Sequence, residues 1–340
     1  MSKRKLTRRQ AWQIEKVQAE RSKRANQRND RVDQQISEGE LGHEQQGLII
    51  AHYGNQVDVE CRQDTGFGII HRCHIRANLG TLVTGDQIIW REGKPTGVVV
   101  ASLDRKSELS RPDMTGKLRP IAANIDCVVI VVAALPEPHA NLIDRYLVAA
   151  ESVDIEPIIL LNKEDIVDAD NRESIEELLS VYPQIGYRVL RASTISLDGL
   201  EPLRSFLKDK TSVFVGQSGV GKSSLINALL PGVDIKVGEL SRAHATGTHT
   251  TTTAKLFHFP VGGDLVDSPG IREFGLWHMA REQVLDGFVE FRPFIGRCKF
   301  RNCKHRQEPG CELLAALERG AISQRRLRSF ESIANSLELL

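Results

Sequence analysis

The spacing of apolar and polar positions divides the chain into four textures. Residues 1–35 set few apolar side chains among many Arg, Lys, Gln and Asn. Trp12, Ile14 and Val17 support a short helix at most, so a flexible basic arm is expected over 1–36. From about residue 41 to 109 come short β-type runs at 47–50, 56–60, 68–70, 87–90 and 97–100. Turn signals separate them at Tyr53-Gly54-Asn55, Thr84-Gly85-Asp86 and Glu92-Gly93-Lys94-Pro95. Five short strands in so little chain predict a small closed β-barrel over 37–110, and an OB-fold fits the count.

From residue 121 the texture changes to buried runs alternating with amphipathic ones. Strands are predicted at 126–132, 158–161, 188–190 and 211–215. Helices are predicted at 143–153, 174–182 and 222–230, the last stopped by Pro231-Gly232. That alternation predicts a parallel α/β sheet covered on both faces, placed over 113–273. After residue 274 the pattern is helical and charged, and a small α-rich module is expected over 274–340. No internal repeat is visible.

Composition sharpens this picture in two places. With 340 residues and 41% hydrophobic content, the chain can bury more than one core. No window approaches eighteen consecutive apolar residues, and no apolar stretch follows the first basic residues; neither a membrane span nor a secretory signal is expected. Six cysteines without a regular framework point to a reducing cytoplasm. The formal net charge of +1 argues against a nucleic-acid partner only as an average. Residues 1–35 hold eleven basic against four acidic side chains, and 298–330 hold eight against three. A basic arm and a basic terminal module flank an acidic-leaning remainder.

The chemistry begins at Gly216, Gln217, Ser218, Gly219, Val220, Gly221, Lys222 and Ser223, a complete GxxxxGK[ST] run between a predicted strand and a predicted helix. Glycines there let backbone N–H groups converge on phosphate oxygens, and the helix N-terminus adds positive potential. Lys222 supplies charge to the β- and γ-phosphates, and the Ser223 hydroxyl is placed to ligate Mg²⁺. Asn162, Lys163 and Asp165 form an NKxD element directly after a predicted strand. A carboxylate at Asp165 accepts from guanine N1–H and the exocyclic amine, which adenine does not offer in that arrangement. Ser193 and Thr194 are a candidate second base loop.

Asp267-Ser268-Pro269-Gly270 follows the apolar pair Leu265-Val266, about fifty residues beyond the phosphate loop. That spacing lets Asp267 hold Mg²⁺ through water and the Gly270 N–H sense the γ-phosphate. Between the two lies a Gly- and Thr-rich loop with His249 and the run Thr250 to Thr253, suited to a switch whose hydroxyl caps the metal; Thr251 is the candidate. The order is unusual. The base-reading elements precede the phosphate loop and Asp267–Gly270 comes last, so the GTPase domain is circularly permuted. The terminal module is thereby tied directly to the segment that responds to the γ-phosphate.

That module carries Cys298, Cys303, His305 and Cys311, three thiols and an imidazole within fourteen residues. A closed Cys₃His set suits one structural Zn²⁺. Arg297, Lys299, Arg301, Lys304 and Arg306 interleave with the ligands and suit a phosphate backbone.

The permuted order, with a barrel before it and a Cys₃His module after it, resembles the ribosome small subunit-dependent GTPase A family, the RsgA/YjeQ proteins. The resemblance runs from about residue 37 to 330 and is strongest at 122–126, 160–165, 216–224, 249–253 and 267–277. The stretch 216–224 adds Ser224 to the nucleotide-binding set. The resemblance implies an enzyme that hydrolyses GTP, is stimulated by the 30S subunit, acts in late 30S maturation and contacts 16S rRNA. In Ras-like proteins a Gln close after DxxG orients the attacking water. Here Ile271 follows Gly270, and the resemblance points instead to His249. Lys222, Gly270 and His249 are thus the expected catalytic groups, in a monomer that takes GTP or GDP and no membrane. A large-subunit assembly GTPase and a non-hydrolytic RNA-binding scaffold remain alternative readings.

Overall fold

The computed structural model describes residues 41–63, 66–113, 116–196, 198–232, 254–267 and 279–338. These form two compact units, divided at Leu82/Val83 and Asp104/Arg105, with Val83–Gly85 belonging to the second.

The first unit is the barrel. Its strands are β1 (Glu44–Tyr53), β2 (Gln56–Cys61), β3 (Ile70–Ile75), β4 (Gln87–Arg91) and β5 (Gly97–Ser102). Alternation sets the inward face: Val57, Val59 and Cys61 are buried while Gln56 and Asp58 are less so. β1 pairs with β2, β2 with β3, β3 with β5 and β5 with β4, and β4 returns to β1 to close the ring. Ile49, Val57, Val59, Ile88, Trp90 and Val99 fill it. The third strand lies later than its expected 68–70. Gly68 takes φ +82° in a turn, and the pairing begins only at Ile70.

The second unit opens with a hairpin, β6 (Glu108–Pro112) and β7 (Leu118–Ala123), that the apolar pattern does not announce. The large sheet follows, with β8 (Cys127–Ala133), β9 (Glu156–Asn162), β10 (Arg188–Arg191), β11 (Thr211–Val215), β12 (Lys255–His258) and β13 (Asp264–Asp267). In space the order is β10-β9-β8-β11-β13-β12, parallel except for β12. All seven residues of β8 are buried, as its unbroken apolar run requires.

Four helices accompany this sheet: α1 (Ala140–Glu151), α2 (Ala169–Gln184), α3 (Glu201–Leu207) and α4 (Lys222–Leu229). Helix α2 begins five residues before the start expected at 174. The Asp168 carboxylate accepts from the Asp170 and Asn171 N–H groups, and Asn171 Oδ1 accepts from the Asp168 N–H. This reciprocal cap starts a first turn with no buried side chain, invisible to periodicity.

The terminal helices are α5 (Arg281–Asp286), α6 (Glu312–Glu318) and α7 (Gln324–Glu338), with a 3-10 turn at Val289–Phe294. Phe288 and Phe291 stack at their centre and Phe330 meets both edge-on, with ring centroids 5.0–6.1 Å apart. α7 packs against α1, and Arg326 is wholly buried there. Its guanidinium bonds Asp144 of α1 at 2.5 Å and both oxygens of Glu290, and Tyr182 of α2 donates to the same Asp144 oxygen. Among the described residues no helix is long and apolar enough to cross a membrane.

Candidate nucleotide site and metal cluster

In a parallel sheet, ligands gather at the carboxyl ends of the strands, where loops and helix N-termini converge. Asn162 ends β9, Ser193 follows β10, Gly216 follows β11 and Asp267 ends β13. Segments far apart in sequence therefore share one edge of one sheet.

The phosphate loop joins β11 to α4. Gly216 has φ +139°, and a Cβ there would stand 2.2 Å from the Val131 carbonyl oxygen of the neighbouring strand. Gly221 caps α4 at φ +89°, where a Cβ would stand 2.6 Å from Asn162 Nδ2. Neither position admits a side chain, and the space so kept is a cradle of backbone amides. Lys222 Nζ arches back over it, donating to the Gly216 and Gln217 carbonyls at 2.7 Å each. Ser218, Gly219 and Ser224 are exposed, while Val220 is buried and anchors the loop.

The loop is bonded to the NKxD element. Asn162 Nδ2 donates to the Val220 carbonyl at 2.9 Å, and Lys163 Nζ donates to Gly219 at 2.8 Å and to Leu135 at 3.1 Å. Lys163 takes φ +58°, which turns its side chain back across the phosphate loop. The Asp165 carboxylate is exposed and accepts from the Ser193 hydroxyl, which in turn accepts from the Ile195 N–H. The buried Asn162 Oδ1 has no partner among the described residues, leaving an acceptor for a ligand. Thr194 is exposed beside Ser193. Ser223 lies in the first turn of α4, and Asp267 pairs in register with Lys255. His249, Thr251 and Gly270 lie outside the described residues, as does the arm over 1–36.

One residue here carries no sequence signal. Tyr146, on α1, is buried beside Gly216 and is hydrogen-bonded to its backbone. Burial raises its phenol pKa, opposed by that bond. It also borders a small pocket with Pro138, His139, Gln217 and Val220.

The chain matches the family model for the RsgA GTPase over residues 102–277. It is 58% identical to a small ribosomal subunit biogenesis GTPase RsgA of Ectopseudomonas mendocina, over 99% of this chain and 98% of that protein. Identity to the protein of the same description from Pseudomonas aeruginosa is 57%, over the same shares. The chain belongs to the RsgA GTPase family. Family members hydrolyse GTP, and a hydrolase acting on GTP is what this chain is. Among solved structures it resembles YjeQ from Thermotoga maritima, with TM-score 0.72 and 31% identity over 87% of this chain and 99% of that one. It also resembles YloQ, described as a circularly permuted GTPase, with TM-score 0.69 and 31% identity over 87% and 96%. The barrel and the permuted GTPase fold expected from the sequence are both present.

In the terminal module the Cys298, Cys303 and Cys311 sulfurs and a His305 ring nitrogen lie within 4.8 Å of one another. His305 Nδ1 is 3.5 Å from Cys298 Sγ and 3.4 Å from Cys311 Sγ. Burial, with the Cys311 and Cys298 thiols alongside, pushes the Cys303 thiol up to about 12, and burial lowers His305. Crowded thiols beside an imidazole held neutral are a donor set that a divalent cation relieves. The residues fit a metal ion. Around them Arg297, Lys299, Arg301, Lys304 and Arg306 are all exposed.

Proposed function

We propose that this chain hydrolyses GTP in the assembly of the small ribosomal subunit, working on the 30S particle and held to it through 16S rRNA. The hydrogen bonds from Asn162 and Lys163 to the phosphate loop carry this reading. They join a guanine-type recognition element to a phosphate cradle across 58 and 56 positions of sequence separation. The descriptions of the relatives from Ectopseudomonas mendocina and Pseudomonas aeruginosa supply the ribosomal setting.

In this reading Asp165 accepts from the guanine ring, with Ser193 orienting its carboxylate and Thr194 bordering the base. The backbone from Gly216 to Gly221 holds phosphate oxygens, and Lys222 leaves the carbonyls it now bonds to meet the β- and γ-phosphates. Ser223, Thr251 and Asp267 hold Mg²⁺, which neutralises charge developing on the phosphates. Ser224 extends the α4 N-terminus toward the nucleotide. The Gly270 N–H senses the γ-phosphate, and His249 orients the attacking water, since Ile271 cannot.

The terminal cluster holds one structural Zn²⁺ through Cys298, Cys303, His305 and Cys311. Its exposed arginines and lysines face the rRNA backbone, as does the basic arm. The protein works as a monomer in the cytoplasm, taking GTP and releasing GDP. Phosphate release measured alone, with purified 30S and with purified 50S subunits tests this. Stimulation by 30S alone is expected. Stimulation by 50S would assign the chain to the other subunit, and no hydrolysis under any condition would leave a GTP-dependent scaffold.

A further inference from the structure

The segment from Cys303 to Cys311 has no helix or strand to pair its backbone, yet it must deliver one imidazole and two thiols to a single point. Backbone N–H groups in such a loop need acceptors from elsewhere. Three of them find the same one. Glu308 Oε1 accepts from the Lys304 N–H at 2.8 Å, and Oε2 accepts from the Arg306 and Gln307 N–H groups at 2.8 and 3.1 Å. The residue enclosed by these bonds is His305, which takes φ +60°, a conformation that non-glycine residues adopt only when their surroundings hold them there. The Glu308 carbonyl also accepts from the Cys311 N–H at 3.2 Å, so the same residue shapes the approach to a second ligand.

Outside the Glu308 cap the loop is held by Arg281, which donates to the Lys304 carbonyl at 3.0 Å, and by Arg306 bonded to Asn335 of α7 at 2.7 Å. Those bonds dock the loop on the helices, and Arg281 steadies the peptide that precedes His305 from its carbonyl side. The Lys304, Arg306 and Gln307 N–H groups are left to Glu308.

We propose that Glu308 is the positioning residue of the metal cluster: its carboxylate gathers the three amides around His305 and presents the His305 ring nitrogen preorganised to the cation, without itself ligating it. The inference rests on reading the Cys₃His set as a zinc site. Removing an outer group of this kind weakens metal affinity roughly ten- to hundredfold in other sites.

The test is zinc affinity of the full-length protein, measured by competition with a chromophoric chelator, for the wild type, Glu308→Ala and Glu308→Gln. The expected order is wild type, then Gln, then Ala, because Gln keeps one accepting oxygen but turns an amide N–H toward the loop. Loss of about tenfold or more is expected for Ala, with binding of a fluorescent GDP analogue unchanged as proof of a folded nucleotide unit. In the Co²⁺-loaded protein the ligand-field bands should weaken in both variants as His305 leaves the coordination sphere, a change that lost fold stability alone would not produce. Affinities within twofold of the wild type overturn the role of Glu308. If the Ala variant does not fold, the Gln comparison decides on the same criterion. A wild type that takes up no zinc overturns the metal reading itself, a separate outcome.

Discussion

At the scale of single residues, the phosphate loop is decided by what cannot be there. A Cβ at Gly216 meets the Val131 carbonyl at 2.2 Å, and its φ of +139° is one that side-chain-bearing residues rarely adopt. Gly216→Ala should cost on the order of 1–3 kcal/mol locally. If that cost falls on the nucleotide-ready loop, GDP affinity drops roughly ten- to hundredfold; a fluorescent GDP titration reads it directly. His249 is a residue-scale question of another kind. The water-orienting Gln of Ras-like proteins has no counterpart at Ile271, so a polar group must come from elsewhere, and His249 is the proposed one. His249→Ala is expected to bind nucleotide as the wild type does and to lose the 30S-stimulated rate. A stimulated rate equal to wild type would remove His249 from the reaction.

At the scale of elements, α1 is the piece on which two regions meet. Its Tyr146 reaches the Gly216 backbone, while Asp144, Asn141 and Arg145 bond Arg326, Ser332 and Ser336 of α7. The Arg326 guanidinium lies over the Phe288 ring at 4.3 Å and bonds two carboxylates, all out of water. Taking away one partner of such a set leaves uncompensated buried charge, which typically costs 3–5 kcal/mol. Arg326→Ala should lower the stability of the second unit by about that much in denaturant unfolding. Replacement of Arg292, whose bond to Glu151 is more exposed, should cost about 1 kcal/mol or less. Equal effects from the two would mean that the buried set holds nothing together.

At the scale of the whole molecule, permutation ties the terminal module by sequence to the segment after β13, while packing ties it to α1 and α2. Connectivity by itself suggests that the module follows the switch. The buried Arg326 set and the bonds from Arg325 to the Glu177 and Leu178 carbonyls of α2 place it in one compact unit with the nucleotide sheet. The knuckle, for its part, bonds to Arg281 and to Asn335 of α7, whereas the phosphate loop bonds to Asn162 at the end of β9 and to Lys163. Chelating zinc should therefore weaken binding to 30S subunits and leave GDP affinity unchanged, measurable by co-sedimentation and nucleotide titration. Loss of both together would show the cluster to be a support of the nucleotide unit.

Much of this was legible before any coordinates. The phosphate loop, the NKxD element and the Cys₃His set are local patterns whose chemistry depends on residue type and short spacing, and so is the alternation that builds the barrel and the buried strands. Even the permutation is a statement about order along the chain. What sequence could not reach depends on partners distant in sequence or on polar groups without periodicity. The Asp168 cap of α2 buries nothing, the β6–β7 hairpin has no apolar stripe, and Glu308 looks like one more surface acid until three amides are seen to converge on it. Arg326 is in sequence one of the eight basic residues counted over 298–330, yet it is fully buried, with Asp144 and Glu290 arriving from 182 and 36 positions away. Sequence by itself determined which groups this protein has for phosphate, guanine and metal. Only the tertiary structure decided which of them meet, because charge burial and backbone satisfaction are settled between elements and not within them.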